Sequence, residues 1–278
     1  MRVVNFNIHG ARVPGRKGCE IQERSWHQVA AFGADLALLQ EVDENAIPDW
    51  VHQRQQWTVV HAMPGVAGLK NLSWGSVIAA APSLKLRTRD DLFSDPWLAA
   101  VYEYVVIGEI DLPDGDTALV ASVHAVAKKV EDYFTWLRIP NPPTQDEMRK
   151  ISGGPEEPWM ADFVVWALDR YAAGKRFIIG GDWNNSRLFD CQSDQRRRGQ
   201  GPIATMFFTR AEDRGWFECH GAKNEEQSFF GGKRPHQLDH LFCDRKTGER
   251  LKDCYVRADW LTPELSDHAP MVTNFVFD

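Results

Sequence analysis

Several features common in chains of this size are missing here, and each absence removes a class of function. No apolar stretch approaches the roughly twenty residues that span a bilayer. No charged-then-apolar leader precedes the first strand-like pattern. Both point to a soluble, cytoplasmic protein without stable membrane association. Cysteine is scarce and scattered: Cys19, Cys191, Cys219, Cys243 and Cys254 form an odd set with no CxxC pair. That argues against a disulfide framework or a thiolate zinc site and implies reduced thiols. A surplus of positive charge is lacking too. The formal net charge of −7 argues against a protein held to nucleic acid by a general basic surface. It leaves room for a nuclease, because a metal-filled site can receive phosphate locally. There is no internal repeat, low-complexity segment or linker, so residues 1–278 read as one domain.

What is present is core material, arranged so that polar groups emerge at strand ends. Hydrophobic residues make up 43% of the chain, enough for a sizeable core. Residues 2–8 alternate, with Val4, Phe6 and Ile8 on one side and Val3, Asn5 and Asn7 on the other. Residues 21–32 have helical spacing and Gly33 as a stop. The run 35–42 predicts a buried strand with Glu41 at its C-terminal end. Further strands are expected over 56–63 and 76–82. Leu112-Pro113-Asp114-Gly115, between apolar runs at 102–111 and 116–126, is a hairpin signal. Its second arm ends near His124, a position where a lone histidine can equally be a satisfied core residue.

Residues 127–158 lose their period and carry several prolines, with Tyr133, Phe134 and Trp136 among them. A connection this long is expected to be partly helical or to form a lid. Its aromatics are assigned to the core in preference to base stacking. Residues 156–173 predict a helix, and 215–218, 237–243, 251–260 and 271–277 predict short strands, with a turn over 246–249.

The chain is organised around Phe177-Ile178-Ile179-Gly180-Gly181-Asp182-Trp183-Asn184. An apolar strand delivers a carboxylate and a carboxamide into the loop beyond it. Residues two apart in extended chain point the same way, so Asp182 and Asn184 can face one ligand. Two acid–histidine pairs follow, Asp239-His240 and Asp267-His268. The first sits in a strand pattern, where neighbours point apart, so Asp239 can face a site that His240 does not. Arg196-Arg197-Arg198 is the best candidate for a phosphate-steering, substrate-binding patch, seconded by Lys233-Arg234.

Asn7, Gln40-Glu41, the strand ending at His124, Gly181-Asp182-Trp183-Asn184, Leu238-Asp239-His240 and Ser266-Asp267-His268-Ala269-Pro270 occur in this order. Together they resemble the endonuclease/exonuclease/phosphatase superfamily, from the first strand to the last. The resemblance implies an α/β (α+β) protein of DNase-like build, a four-layer αββα sandwich of two mixed β-sheets with the site at one end. It implies Mg²⁺ or Mn²⁺ on Glu41, with Asn7 and Asp267 close by. Asp182 would orient and deprotonate water, Asn184 would donate to a phosphate oxygen, and His268 would contact the phosphate, oriented by Asp239. His124 would protonate or stabilise the leaving alkoxide. A hard cation with oxygen ligands suits this chemistry, because a phosphodiester anion repels its nucleophile until its charge is offset.

The function expected is a metal-dependent phosphoester hydrolase, with a nuclease-like phosphodiesterase acting on DNA or RNA ahead. The alternative is a phosphatase or phosphodiesterase for a small nucleotide, an inositol phosphate or a lipid headgroup. A catalytically dead binding module is the third reading, and the full set of acids and histidines argues against it.

Overall fold

The computed structural model describes residues 1–8, 18–53, 57–61, 74–191, 203–221, 225–232, 235–260 and 265–277. In chain order its strands are β1 (Arg2–Asn7), β2 (Leu36–Val42), β3 (Thr58–His61), β4 (Gly75–Ala80), β5 (Arg87–Thr88) and β6 (Val105–Asp111). The second half adds β7 (Thr117–His124), β8 (Arg176–Asp182), β9 (Phe217–Glu218), β10 (Asp239–Cys243), β11 (Leu251–Val256) and β12 (Met271–Phe275). They form two sheets of six, ordered β11-β12-β1-β2-β4-β3 and β5-β6-β7-β8-β10-β9. Both are mixed: β1 runs parallel to β2 and β7 parallel to β8, while the other pairs are antiparallel.

Strand alternation sorts the side chains into layers. Val3, Leu36, Leu38 and Ile78 of the first sheet meet Val106, Val120, Ile178 and Leu241 of the second. The alternate residues Val4, Phe6, Ala37 and Leu39 face outward onto Trp26 and Val29 of the helix Gly18–Ala31. On the far side Ala121, Val123, Phe177 and Ile179 pack under Phe163 and Leu168 of the helix Met160–Ala172 and Phe207 of the helix Ile203–Asp213. Helix, sheet, sheet, helix is the four-layer order expected.

Three local features differ from the sequence reading. The helix Ile203–Asp213 was not expected; it closes on Gly215 at φ 83°. The helix expected from 156 starts only at Met160, because Trp159 is extended and its N–H is taken by the Asp162 carboxylate at 3.2 Å. The 127–158 segment is partly helical as expected, with helices Val130–Leu137 and Gln145–Ser152, and the difference lies in its aromatics. Its aromatics divide: Tyr133 and Phe134 are buried, but Trp136 is 52% exposed. The strand expected over 56–63 is described only as Thr58–His61, and most of the connection that follows lies outside the described residues.

Between the sheets the filling changes from apolar to polar toward the C-terminal ends of β1, β2, β7 and β8. One level above Val3, Leu38 and Ile178, the Gln40 amide donates to Asn5 Oδ1 at 3.1 Å and Ser122 Oγ at 2.9 Å. Asn5 donates in turn to the Gly181 carbonyl at 3.3 Å. Gly180 makes this approach possible: a β-carbon there would come within 2.6 Å of Leu241 Cδ1 and 2.9 Å of Leu38 Cδ1. Buried donors need acceptors; the Gln40 and Asn5 amides find theirs, Gln40 Oε1 has no partner among the described residues, and this internal network is the floor of the site above it.

Candidate active site

One level above that floor, four strands of both sheets end together. Asp182 is the register partner of His124 across β7–β8 and of Asp239 across β8–β10. Asn7 reaches over from the first sheet, its Nδ2 donating to Asp182 Oδ2 at 3.0 Å and to Glu41 Oε1 at 3.3 Å. His268 Nε2 lies 3.6 Å from Asp182 Oδ2, and its Nδ1 is 2.8 Å from Asp239 Oδ2. His124 Nε2 stands 3.8 Å from Asp182 and 3.9 Å from Glu41, outside hydrogen-bond range of both. Trp74 and Tyr104 flank the His124 ring, and Phe229 flanks His268.

Two site residues hold backbone conformations that side chains rarely adopt. Glu41 has φ 54° and Asn184 φ 48°. Strict alternation would send Glu41 to the outer face, since Gln40 points inward. The β2–β4 register slips between Leu39 and Val42, and this bulge at positive φ turns the Glu41 carboxylate back toward Asn7. Asn184 is no longer in extended chain: its N–H donates to Asp182 Oδ1 at 2.8 Å and its Nδ2 to the Ala125 carbonyl at 3.0 Å. The expectation that Asp182 and Asn184 share a direction through strand geometry is therefore replaced by a turn that Asp182 itself caps. Trp183 goes the other way, into the core against Phe207, Trp216 and Phe242.

Burial and neighbouring charge set the proton affinities. Burial raises the Asp182 pKa and Asp239 adds to it, against the opposing pull of His268 and His124. For His268, burial disfavours the cation, yet Asp239 and Asp182 outweigh it and push the pKa up to about 10. A cationic imidazole beside a carboxylate of raised pKa is a donor–acceptor pair in one pocket. Asp239 Oδ1 is buried with no hydrogen-bond partner among the described residues.

Asp267 sits in the loop before β12. Its carbonyl accepts from Phe230 N at 2.7 Å, its carboxylate abuts Gly231, and its charge further raises the His268 pKa. Ser266 is a residue that sequence reasoning quoted but gave no role. Its Oγ donates to the Asn7 carbonyl at 2.7 Å and accepts from His268 N at 3.0 Å, tying the loop to β1. His240 points away, to Glu218 at 2.9 Å. Arg196, Arg197, Arg198, Lys233 and Arg234 lie outside the described residues.

Glu41 and Asp182, joined through the Asn7 carboxamide, are residue types that a hard cation takes as oxygen ligands. No group of three or more His, Cys, Asp or Glu in the described residues is arranged as a cage. Mg²⁺ needs only one or two carboxylates, with waters and substrate oxygens completing its shell. As placed, Asn7 turns its amide nitrogen toward the carboxylates and bridges Glu41 to Asp182.

By sequence the chain matches no protein-family model and no curated protein. By structure it resembles an AP endonuclease from Archaeoglobus fulgidus at TM-score 0.65 and 14% identity, over 100% of both chains. A 3′-5′ exonuclease from Neisseria meningitidis gives 0.64 and 15%, again over 100% of both. A protein from Leptotrichia buccalis described as of the endonuclease/exonuclease/phosphatase family gives 0.60 and 13%, also over 100% of both. This is the endonuclease/exonuclease/phosphatase fold. Full-length coverage in both directions means that the two sheets and their order belong to that fold as a whole, with no large part left over. The endonuclease/exonuclease/phosphatase fold agrees with the sandwich expected from the six motifs. No helix among the described residues is long and apolar enough to cross a membrane.

Proposed function

We propose that the protein is a divalent-metal-dependent phosphoester hydrolase, a phosphodiesterase that cleaves DNA or RNA by in-line attack of water. The observation that carries this reading is the buried Asp182 carboxylate, within 4 Å of Asn7, His124 and His268 at the end of both sheets. Its raised pKa makes it a better proton acceptor than an exposed carboxylate, as deprotonating water requires. His268, cationic at neutral pH, offers Nε2–H to a phosphate oxygen while Asp239 fixes the ring. Asn184 has one amide hydrogen committed to Ala125 and a second available for charge building on the phosphate. His124 protonates the leaving oxygen. Glu41, with Asn7 and Asp267 near it, would hold Mg²⁺ or Mn²⁺, which supplies charge neutralisation and polarises the phosphoester. Arg196, Arg197 and Arg198 steer the anionic substrate. The AP endonuclease and exonuclease neighbours are by name nucleases, which favours nucleic acid over an inositol phosphate or lipid headgroup.

The test is hydrolysis of a panel under Mg²⁺: plasmid, labelled single strands, an inositol phosphate and a small aryl phosphodiester. Glu41→Ala and His268→Ala each abolish turnover with the far-ultraviolet circular dichroism unchanged. Chelation abolishes wild-type activity and Mg²⁺ or Mn²⁺ restores it; hydrolysis that survives chelation removes the metal from Glu41. Activity confined to monoesters rejects the diesterase.

A further inference from the structure

The exposed Trp136 is the feature that the proposed active site does not use. It lies on the helix Val130–Leu137, whose Val130, Tyr133 and Phe134 are buried in the core that includes the second sheet, with Leu137 partly buried beside them. Its ring meets buried Tyr133 edge-on, and about half of its surface stays open to solvent. Lys128 Nζ sits over its ring, 5.0 Å from the centroid. Lys128 pairs with no carboxylate among the described residues, whereas its neighbour Lys129 is tied to Glu157. Arg138, two residues beyond Trp136, is exposed and also lacks a carboxylate partner among the described residues. Glu131 and Asp132 occupy the first turn of the helix, where its dipole favours them.

The platform is joined to the site by a file of rings. His124 and Tyr104 have centroids 6.0 Å apart, Tyr104 and Tyr133 6.1 Å, and Tyr133 and Trp136 6.4 Å. The chain is short as well, since Lys128 lies four residues past His124. A stacked strand advances ~3.4 Å per nucleotide. Tyr104 and Tyr133 are buried, so the file measures a separation and not the strand's path, and that separation corresponds to on the order of five nucleotides.

We infer that Trp136, with Lys128 above it, is a stacking platform for an unpaired base of a single-stranded segment flanking the cleaved phosphodiester. This rests on the phosphodiesterase reading and adds the strandedness of the substrate. An aromatic face takes any base, which would displace the Lys128 ammonium from the ring and leave it to meet the adjoining phosphate. A double helix keeps its bases stacked on one another and offers the ring no partner. An anionic membrane is the other surface that a tryptophan and a lysine suit. It is disfavoured because the apolar side of this helix is buried, leaving no apolar face to enter a bilayer.

The experiment compares wild type, Trp136→Ala and Trp136→Phe on a labelled single-stranded oligothymidine and on a small aryl phosphodiester too short to reach the platform. Trp136→Ala is expected to raise KM for the oligonucleotide about tenfold or more with kcat within about twofold. Aryl diester hydrolysis stays the same, and Trp136→Phe recovers most of the loss. An unchanged oligonucleotide KM overturns the platform, as does an equal fall on both substrates, which marks a structural role. Wild-type activity on the aryl diester alone also overturns it while leaving the phosphodiesterase reading standing. Should neither substrate react, the active-site reading fails and fluorescence anisotropy decides. Weaker oligothymidine binding by Trp136→Ala then supports the platform, and equal binding rejects it. Loss of phosphatidylserine-vesicle binding with no effect on the oligonucleotide assigns Trp136 to a membrane and rejects the base.

Discussion

Glu41 shows how a single residue reconciles folding with chemistry. A non-glycine residue at φ 54° costs on the order of 1–2 kcal/mol, and the bulge it creates is the means of aiming its carboxylate. Glu41→Gly and Glu41→Ala should therefore both be inactive, but Gly should be the more stable by about 1 kcal/mol in urea unfolding. Equal stabilities would mean that the backbone there carries no strain. The buried Glu218–His240 pair, on the opposite face from Asp239, gives a pH signature separate from catalysis. Burial opposes the Glu218 charge, but His240 and Arg187 outweigh it and lower the pKa from 4.5 to about 2. Stability from this group is present above pH about 4.5 and lost as pH falls toward 2. For His240, burial opposes the cation and Glu218 outweighs it, raising the pKa above 6.5. That contribution is complete below pH about 6.5 and is lost as pH rises through the raised value. Thermal midpoints should peak between about 4.5 and 6.5 where both act. Glu218→Gln should cost about 3 kcal/mol in that window and progressively less toward pH 2.

At the scale of elements, β8 makes a sharper demand than its sequence suggests. Gly180 and Gly181 are adjacent and both lack a positive φ, so neither is there for a turn. A β-carbon on Gly180 would press on the movable ends of Leu241 and Leu38, whereas on Gly181 it would run into the backbone carbonyl of Val123. Gly180→Ala is expected to cost about 1–3 kcal/mol. Gly181→Ala should cost more, because backbone cannot give way within a sheet; measured the other way round, the order would refute this reading of the β7–β8 contact. The alternation of β1, the buried apolar run of β2 and the Asp-Gly hairpin were legible, because strand pattern and turn chemistry are written locally. The bulge at Glu41 was not, since it is a property of pairing with β4. The helix Ile203–Asp213 had a signal that was passed over: Phe207 and Ala211 are four apart and buried, with Gly215 beyond the end. Trp136 was misassigned to the core because an aromatic near buried aromatics looks alike in sequence whichever way the helix is rotated.

For the whole molecule, the acidic total and an anionic substrate appear opposed, and the resolution is local. Asp182, Asp239 and Glu41 gather negative charge at one end of the sandwich, with Asp267 close enough to act on the His268 imidazole. Such a cluster repels phosphate until a divalent ion offsets it, so ion binding should precede and permit substrate binding. The same cluster is self-repelling in the absence of the ion, so the ion should also stabilise the fold. Binding to the native state alone raises stability by RT ln(1 + [L]/Kd), about 2.7 kcal/mol at a hundredfold excess over Kd. A scan of thermal midpoint against Mg²⁺ should therefore rise steadily for the wild type. In Glu41→Gln, which keeps the side-chain shape and removes the charge, the apo protein should start higher and respond weakly. A variant that climbs with Mg²⁺ as the wild type does would place the ion elsewhere, whatever the activity of either protein.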